Sequence, residues 1–312
     1  MIEITNTRLN HLVDPSVHVW AWQIPVYLFL GGLVAGMMAI AGWFLFADRH
    51  RRAESVSYLL PGLGLVLLTL GMFALFLDLE HKPYFWRLYT TFQWRSPMSW
   101  GSWILLAVYP AMVAALLLHP PAWLVARVPA LGSLAKRLHA DGAFVRGVAA
   151  SNMVLGGLLG IYTGVLLSTL GARPLWNSAL LGPLFLASGL SSAAALVHMV
   201  ARERARNSLS ARADNRFLQV EIVFIALFLI GLAGSTRVHG QAVELLFGGP
   251  FTALFWVGVV GLGILVPLFI QSLAVKHRVA HTAVAPLLVL AGGLMLRFVI
   301  VYAGQFSRWT AG

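Results

Sequence analysis

Eight long apolar runs constrain the fold of this protein more than any other feature. They lie at residues 20–47, 56–79, 99–119, 146–170, 176–200, 217–237, 250–274 and 284–304. Each is long enough to cross about 30 Å of hydrocarbon as a helix. Hydrophobic residues make up 59% of the sequence and charged residues only 11%, a balance typical of membrane proteins. The pattern therefore predicts an all-α integral membrane protein with eight transmembrane helices.

The loops between these runs differ in charge, and the difference predicts the orientation. Most of the 22 lysines and arginines lie in the loops after the first, third, fifth and seventh runs. Because basic loops stay on the cytoplasmic side of a membrane, we expect both termini to be extracytoplasmic, with residues 1–19 as an extracytoplasmic N-terminal segment. The same bias accounts for the net charge of +11, which therefore does not indicate nucleic acid as a partner.

Missing residue types and motifs exclude several chemistries. The sequence has no cysteine, which excludes disulfides, thiolate-bound iron–sulfur clusters and covalently attached c-type haem. Bound haem is not expected either, because His119 and His198 are predicted at the cytoplasmic face, whereas His81 and His239 are predicted at the other face. Glycine-rich phosphate loops and the zinc-protease and serine-hydrolase motifs are also missing. We therefore predict no metal site and no self-contained catalytic centre.

Polar side chains at membrane depth are the candidates for function, since such groups are costly in hydrocarbon. Tyr162 lies in the apolar stretch GIYTGVLLS, near the outer end of the fourth run. At 1.5 Å per residue, Tyr27 and Tyr162 are predicted at similar depths, roughly 10 and 12 Å below the outer surface. Gln23 shares a helix face with Tyr27, Asp78 closes the second run at that surface, and His18 precedes the first run. These residues predict a polar cluster that opens to the outside.

Structural explanations compete with this one. Tyr162 could instead hydrogen-bond a neighbouring helix, and the tryptophans around the cluster fit the aromatic belt of a membrane interface. Arg297, roughly 10 Å below the outer end of the eighth run, needs a carboxylate, carbonyl groups or water around its guanidinium. Its partner is not readable from the sequence: Asp78 is one candidate, whereas Glu221 is expected to lie too near the cytoplasmic side.

Four ordered motifs carry a family resemblance, and all of them lie in the first half of the sequence. They are WQIPVYLFLGG at 22–32, DL at 78–79 with FWR at 85–87, SPMSWGS at 96–102, and GIYTGVLLS at 160–168. In this order they resemble the signatures of the polysulfide reductase/NrfD family of membrane subunits. The resemblance implies two four-helix bundles, residues 20–170 and 171–312, in the bacterial cytoplasmic (inner) membrane with both termini on the periplasmic side.

The resemblance also implies a quinone-binding anchor subunit of a respiratory oxidoreductase, with menaquinone or ubiquinone bound in the first bundle. It would exchange electrons with an extracytoplasmic, ferredoxin-like, four-cluster iron–sulfur subunit that serves a molybdopterin catalytic subunit. On this interpretation Tyr162 donates to one quinone carbonyl and Gln23 or Tyr27 to the other. His18 contributes to the same site and, with Asp78, transfers protons. Gln23 stands where glutamate is expected in relatives, and its amide cannot carry a proton.

A weak internal repeat supports this choice of bundle. It aligns Phe298 of the second bundle with Tyr162 of the first, so only the first bundle carries the phenol. The alternative explanation is that small residues recur wherever membrane helices pack closely.

The external loop from Glu80 to Met98 is rich in aromatic residues and arginine. This composition is typical of interface anchors. Trp86, Arg87, Trp94 and Arg95 are therefore predicted to dock the partner subunit, together with residues 1–17. A loop that lies in the lipid interface would have a similar composition.

Two other functions stay open. A secondary transporter is expected to show broken helices and polar groups near the bilayer centre, whereas the polar cluster here is predicted near one face. A proton-translocating module would need a route from the cytoplasm, for which Asn152, Gln219, Glu221 and Arg297 are the available groups. The sequence shows no continuous line of titratable groups between Glu221 and Tyr162.

Overall fold

The computed structural model describes residues 20–47, 54–171, 173–200, 204–275 and 282–309, and these are helical or in turns, with no strand among them. Eight helices in this part are long and apolar enough to cross a membrane, which confirms the predicted spans to within a few residues. Their bounds are Gln23–Phe46, Leu59–Asp78, Pro97–Leu118, Gly142–Ser168, Leu181–Val200, Ala213–Ala233, Leu254–Ala274 and Val284–Phe306. The predicted N-terminal segment, including His18, lies outside the described residues.

The α-helices are numbered in sequence order. They are α1 Gln23–Phe46, α2 Glu54–Asp78, α3 Arg87–Thr90, α4 Pro97–Leu118, α5 Ala122–Arg127, α6 Pro129–Ala140, α7 Gly142–Ser168, α8 Leu181–Val200, α9 Arg204–Ala233, α10 Arg237–Phe247, α11 Val266–Val275 and α12 Val284–Phe306. The seventh span begins as a π-helix, Leu254–Leu265, and continues into α11. Local sequence features determine where two of these helices begin. Pro97 occupies the first turn of α4, where a backbone N–H has no helical partner and its loss costs nothing. Asp141 caps α7 by accepting hydrogen bonds from two backbone amides.

Helix α1 lies at the centre of the packing. It contacts α2, α7 and α8 extensively and α12 to a lesser extent. In the most apolar stretch of α1, 72% of the residues are buried inside the protein, compared with 33% in α2 and 39% in α4. The other faces of α2 and α4 are available to lipid. In the first half of the protein α4 packs on α2 and α7, and in the second half α8 packs on α9 while α12 packs on α8 and the π-helix.

The contact between α1 and α8 depends on glycine. A Cβ atom on Gly36 would meet the carbonyl oxygen of Gly189, and one on Gly189 would meet the carbonyl oxygen of Gly32. Small residues spaced by four let membrane helices approach backbone to backbone. This crossing therefore joins the two halves of the protein with almost no side chain between them.

Candidate functional site

A cavity of about 310 Å³ lies between α1, α2, α4 and α7, at the ends that the loop charges predict to be extracytoplasmic. Its walls are largely apolar and include Ile24, Leu28, Met72, Leu75, Leu105 and Leu166. Its polar lining consists of Tyr27, Asp78, Glu80, Tyr89, Ser102 and Tyr162. An apolar cavity with a few convergent polar groups is the usual form of a small-molecule site.

The structure brings the two predicted tyrosines into this one cavity. Tyr27 is 4% exposed and Tyr162 is 6% exposed, and both line the same cavity. Neither hydroxyl makes a hydrogen bond to a residue that the structure describes. The helix-bridging role considered for Tyr162 is therefore not seen in this part of the protein. Both phenols are left as donors for a molecule in the cavity.

Gly101 determines where the Tyr162 ring lies. A Cβ atom on Gly101 of α4 would coincide with the ring and hydroxyl of Tyr162. The hydroxyl end of the phenol therefore packs directly against the backbone of α4, in the space that the Cβ atom of any other residue would occupy. Gly101 belongs to the SPMSWGS motif, and its part in the site was missed from the sequence because a glycine offers no polar group to notice.

Two serines of the same motif fix the loop that covers the cavity. Ser102 donates to the carbonyl oxygen of Leu88 at 2.7 Å, and the Ser99 hydroxyl accepts from the Gln93 amide at 3.0 Å. Each bond ties the first turns of α4 to the external loop. The loop residues Leu88 and Tyr89 are thereby held at the cavity wall.

Tyr89 and Trp20 are lining residues that the sequence analysis did not select. Tyr89 lies in the short helix α3, and burial raises the pKa of its phenol, with a smaller contribution from Tyr109. Tyr89 therefore stays protonated at physiological pH and adds a third donor. Trp20 precedes α1 and closes one side of the cavity. The only sequence feature that pointed to Trp20 was its place among the tryptophans predicted around the polar cluster.

Of the other predicted site residues, the structure places Asp78 in the cavity wall. Gln23 is half-buried at the first position of α1 and is not among the lining residues. Its Oε1 atom is buried and has no hydrogen-bond partner among the described residues. The structure thus groups Asp78 with the tyrosines and leaves Gln23 beside them.

Two hydrogen bonds from Gln305 of the last helix, α12, hold Trp20 in place. The side chain of Gln305 accepts from the Trp20 amide at 3.0 Å and donates to the Trp20 carbonyl at 2.9 Å. The Trp20 ring lies 5.1 Å from that of Trp176, which itself donates to the Ile300 carbonyl and packs where a Cβ atom of Gly304 would be. A cavity wall of the first half is thus positioned by α12.

The four predicted docking residues lie on the exposed external loop. Trp86 is 49% and Trp94 is 74% exposed. The Arg87 guanidinium lies over the ring of Tyr84, at 4.7 Å, and near that of Trp86, at 5.6 Å. A second cavity of about 420 Å³ in this loop is lined by Arg87 and shares Leu79, Leu88 and Met98 with the first. The loop therefore presents aromatic and cationic groups directly above the inner cavity.

Arg297 finds carbonyl groups, one of the kinds of partner expected, together with a serine hydroxyl. Its guanidinium donates to the Ser188 hydroxyl and to the carbonyl oxygens of Phe185 and Gly293, and it lies 4.5 Å from the Phe185 ring. Glu221 lies nearby, where its carboxyl group accepts from Ser191, one turn from Ser188 on α8. Among the described residues neither Asp78 nor Glu221 forms a salt bridge with Arg297, and a serine hydroxyl and backbone carbonyls surround its guanidinium instead.

Similarity over nearly the whole sequence decides the family. The sequence matches the family model described as "Polysulphide reductase, NrfD" over residues 11–307. The protein belongs to this family. The match includes all eight spans, so it extends the resemblance of the four motifs into the second half of the sequence.

Individual NrfD-family relatives agree with this assignment. Protein NrfD of Escherichia coli (strain K12) is 35% identical over 306 residues, which cover 93% of the present sequence and 96% of that protein. A polysulfide reductase chain of Wolinella succinogenes is 30% identical over 303 residues, covering 92% and 94%. A selenate reductase subunit of Mesobacillus selenatarsenatis is 25% identical over 325 residues, covering 92% and 74%. The last two are named as parts of reductases, and their similarity runs through both halves of the present sequence.

Proposed function

We propose that this protein is the quinone-binding membrane anchor subunit of a respiratory oxidoreductase in the bacterial cytoplasmic membrane. It exchanges electrons and protons between menaquinone or ubiquinone and a periplasmic, ferredoxin-like, four-cluster iron–sulfur subunit, which serves a molybdopterin catalytic subunit. One observation carries the proposal: an apolar cavity holds two buried phenols, Tyr27 and Tyr162, whose hydroxyls have no partner among the described residues. The reductase components among the relatives support the setting.

The residues of the cavity fit a quinone. A bound quinone supplies two-electron, two-proton redox chemistry. Tyr27 and Tyr162 donate hydrogen bonds to its carbonyl oxygens, and the apolar walls hold its ring and the start of its tail. Asp78, at the end of α2, carries protons between the cavity and the outer surface. His18 and Gln23 remain predicted contributors, His18 to proton transfer and Gln23 to the second carbonyl.

The arrangement of the helices supports the rest of the proposal. Helices α1, α2, α4 and α7 pack on one another, as do α8, α9, α12 and the π-helix with α11, which favours two four-helix bundles with the quinone in the first. The iron–sulfur subunit docks on the external loop at Trp86, Arg87, Trp94 and Arg95, because this loop covers the cavity from the side where both termini are predicted. Electron transfer to a partner needs such proximity.

A secondary transporter fits less well. Each of the eight spans is an uninterrupted helical run among the described residues, whereas transporter sites are typically built from broken helices near the midplane. The phenols and Asp78 lie instead toward one end of the bundle.

The proposal is tested by binding of a quinol analogue to the purified full-length protein, followed by fluorescence quenching. We expect Tyr162→Phe to weaken binding by about 1 to 3 kcal/mol, or roughly tenfold and more, because a buried carbonyl loses its donor. Tyr109→Phe is the matched control: the Tyr109 hydroxyl contacts Thr69 of α2 at 3.3 Å and does not line the cavity. Equal affinity in the wild type and both variants would remove Tyr162 from the site, and no binding at all would reject the quinone.

A further inference from the structure

A short helical hairpin connects α4 to α7 at the end of the protein that the loop charges predict to be cytoplasmic. Its two helices, α5 Ala122–Arg127 and α6 Pro129–Ala140, are joined by a single residue, Val128. They fold back closely on each other, because a Cβ atom on Gly132 would lie 2.9 Å from Cγ1 of Val125. Neither helix is long enough to cross a membrane, and neither lines the cavity proposed to bind quinone.

Helix α6 is fixed against the ends of the two spans that the hairpin connects. It contacts both α4 and α7. Near its end, His139 Nε2 hydrogen-bonds the carbonyl oxygen of Leu118, the last residue of α4, at 3.0 Å. Leu138 packs on the apolar cluster that contains Leu118 and Val148. Because α4 and α7 are membrane spans, these contacts hold α6 at the level where the spans leave the hydrocarbon.

The apolar face of α6 is wider than its contact with the spans. Leu131, Leu134, Ala135 and Leu138 follow the spacing that puts side chains on one face of a helix. Ala135 is buried and Leu131 and Leu138 are half-buried, whereas Leu134 is 39% exposed, and Trp123 of α5 is 61% exposed. Apolar side chains left open at the level of the span ends enter the boundary between headgroups and acyl chains.

Exposed basic side chains border these apolar groups. They form the basic edge of the hairpin, which consists of Arg127, Lys136, Arg137 and Arg146. None of the four forms a salt bridge with a residue that the structure describes. The only carboxylate within residues 120–146 is that of Asp141, and it accepts hydrogen bonds from two backbone amides of α7. The basic edge therefore presents positive charge that the described part of the protein does not neutralise.

The basic and apolar groups are arranged in the order that a lipid presents them. Cζ of Arg127 lies 5.6 Å from the centre of the Trp123 ring, so a guanidinium and an interfacial aromatic ring share one place. On α6, Leu134 and Arg137 lie about 60° apart around the helix axis. One can enter the acyl region while the other, on its long stem, reaches a phosphate. Basic residues on an amphipathic helix beside a span attract anionic lipid headgroups.

We propose that the α5–α6 hairpin is a binding surface for anionic phospholipids of the leaflet at this end of the protein. The basic edge contacts phosphate oxygens, and Trp123 and Leu134 contact the first methylene groups of the acyl chains. Position favours a lipid over an acidic soluble protein, because α6 is held against the span ends and its exposed apolar groups lie beside the basic ones. Charge favours an anionic lipid over a zwitterionic one, whose own cation the basic edge repels.

The first test is a lipid titration of the purified full-length protein in detergent, followed by native mass spectrometry. We expect the wild type to bind dioleoyl phosphatidylglycerol more tightly than dioleoyl phosphatidylcholine. A basic residue near an anionic membrane surface contributes about fivefold in affinity. Arg137→Gln should therefore weaken phosphatidylglycerol binding about fivefold, and Lys136→Gln with Arg137→Gln roughly twentyfold, while phosphatidylcholine binding stays unchanged.

Arg216→Gln is the matched control for this titration. It removes one exposed basic residue at the same predicted side, on α9 and outside the hairpin, and it should leave the affinity for phosphatidylglycerol unchanged. Equal affinity of the wild type for the two lipids would overturn the proposal and leave the basic edge to an acidic protein partner. An equal loss in Arg216→Gln and Arg137→Gln would overturn it as well, since the hairpin would then have no special part in binding.

The second test measures how deeply α6 lies in the membrane. The sequence has no cysteine, so Leu134→Cys and Ser133→Cys each provide one site for a nitroxide label in the full-length protein in nanodiscs. Electron paramagnetic resonance then compares access of oxygen and of a water-soluble nickel chelate. We expect oxygen to dominate at Leu134 and the chelate at Ser133, which is exposed and about 100° away around the helix.

Two labels that both face water would overturn the proposal, because the hairpin would then lie outside the lipid. Neither test involves quinone, so this proposal and the quinone site can fail separately.

Discussion

Replacing Gly101 by alanine is the most direct test of the packing around the cavity between α1, α2, α4 and α7. The new Cβ atom would fall on the Tyr162 ring, so ring and helix α4 cannot both keep their positions. Overpacking of a buried site costs about 1 to 3 kcal/mol, partly offset because alanine favours a helix over glycine by up to about 1 kcal/mol. A displaced phenol should also lose its proposed hydrogen bond to the quinone, which is expected to weaken quinol-analogue binding by about 1 kcal/mol or more.

A double-mutant cycle isolates the contact from the general effect of the substitution. In a Tyr162→Ala background the added methyl group enters space vacated by the ring, so Gly101→Ala should become neutral or stabilising by about 0.5 to 1 kcal/mol. The coupling energy between the two positions should therefore be about 1 to 3 kcal/mol.

The assay measures unfolding in detergent and analogue binding for the wild type, both single variants and the double variant. Gly157→Ala is the matched control, since a Cβ atom there meets nothing within 4 Å; it should leave binding unchanged. If Gly101→Ala had the same effect in both backgrounds, Gly101 would not position Tyr162, and the described packing of α4 on α7 would be wrong.

The other predictions concern the edge of the same cavity. Gln305→Ala removes two hydrogen bonds to Trp20, so the free energy of unfolding, measured by thermal unfolding, should fall by about 2 kcal/mol. Binding of the analogue should also weaken; unchanged binding would show that Trp20 keeps its position without these two bonds. Asp78→Asn should keep analogue affinity within about 0.5 kcal/mol but lower quinol turnover of the purified complex about 10²-fold, and full turnover would exclude Asp78 as the proton carrier. Ser102→Ala frees the loop at Leu88 and should weaken analogue binding by about 1 kcal/mol, as measured by quenching.

The sequence alone predicted the transmembrane spans and the similar depth of Tyr27 and Tyr162. Apolar length fixes where a polypeptide crosses hydrocarbon, and the constant rise of a helix converts position into depth. Tyr27 and Tyr162 were expected at one level, and both line one cavity. Depth alone, however, does not say which way a side chain points.

The rotation of α1 explains why Gln23 is not among the residues that line the cavity, although it lies one turn from Tyr27. The part of α1 that lines the cavity is Ile24, Tyr27 and Leu28, and at 100° per residue Gln23 lies roughly 90° from the centre of that face. Tyr89 was missed for another reason: it lies in α3, a four-residue helix within the external loop, which is too short to show a periodicity that predicts burial. Only the folded loop brings it to the cavity.

The Arg297 environment depends on how α8, α9 and α12 pack, which the sequence does not give. Arg297 donates to the Ser188 hydroxyl and the Phe185 carbonyl of α8, and Glu221 of α9 accepts from Ser191, one turn further along α8. The position of each residue along its own helix can be predicted from the sequence, but the rotation of one helix against another cannot. The serines that lie between the two charged groups were therefore not expected.

The cavity lined by Tyr27 and the surroundings of Arg297 meet at one crossing, and its geometry suggests why glycine is needed there. Gly32 and Gly189 bring α1 and α8 into backbone contact, and the same approach leaves room for the Arg297 guanidinium to donate to the Phe185 carbonyl. A larger residue at position 32 would push Arg297 away from α1 and from the helix that carries Tyr27. The crossing therefore brings the Arg297 side chain of the second half next to α1, the helix that carries Tyr27.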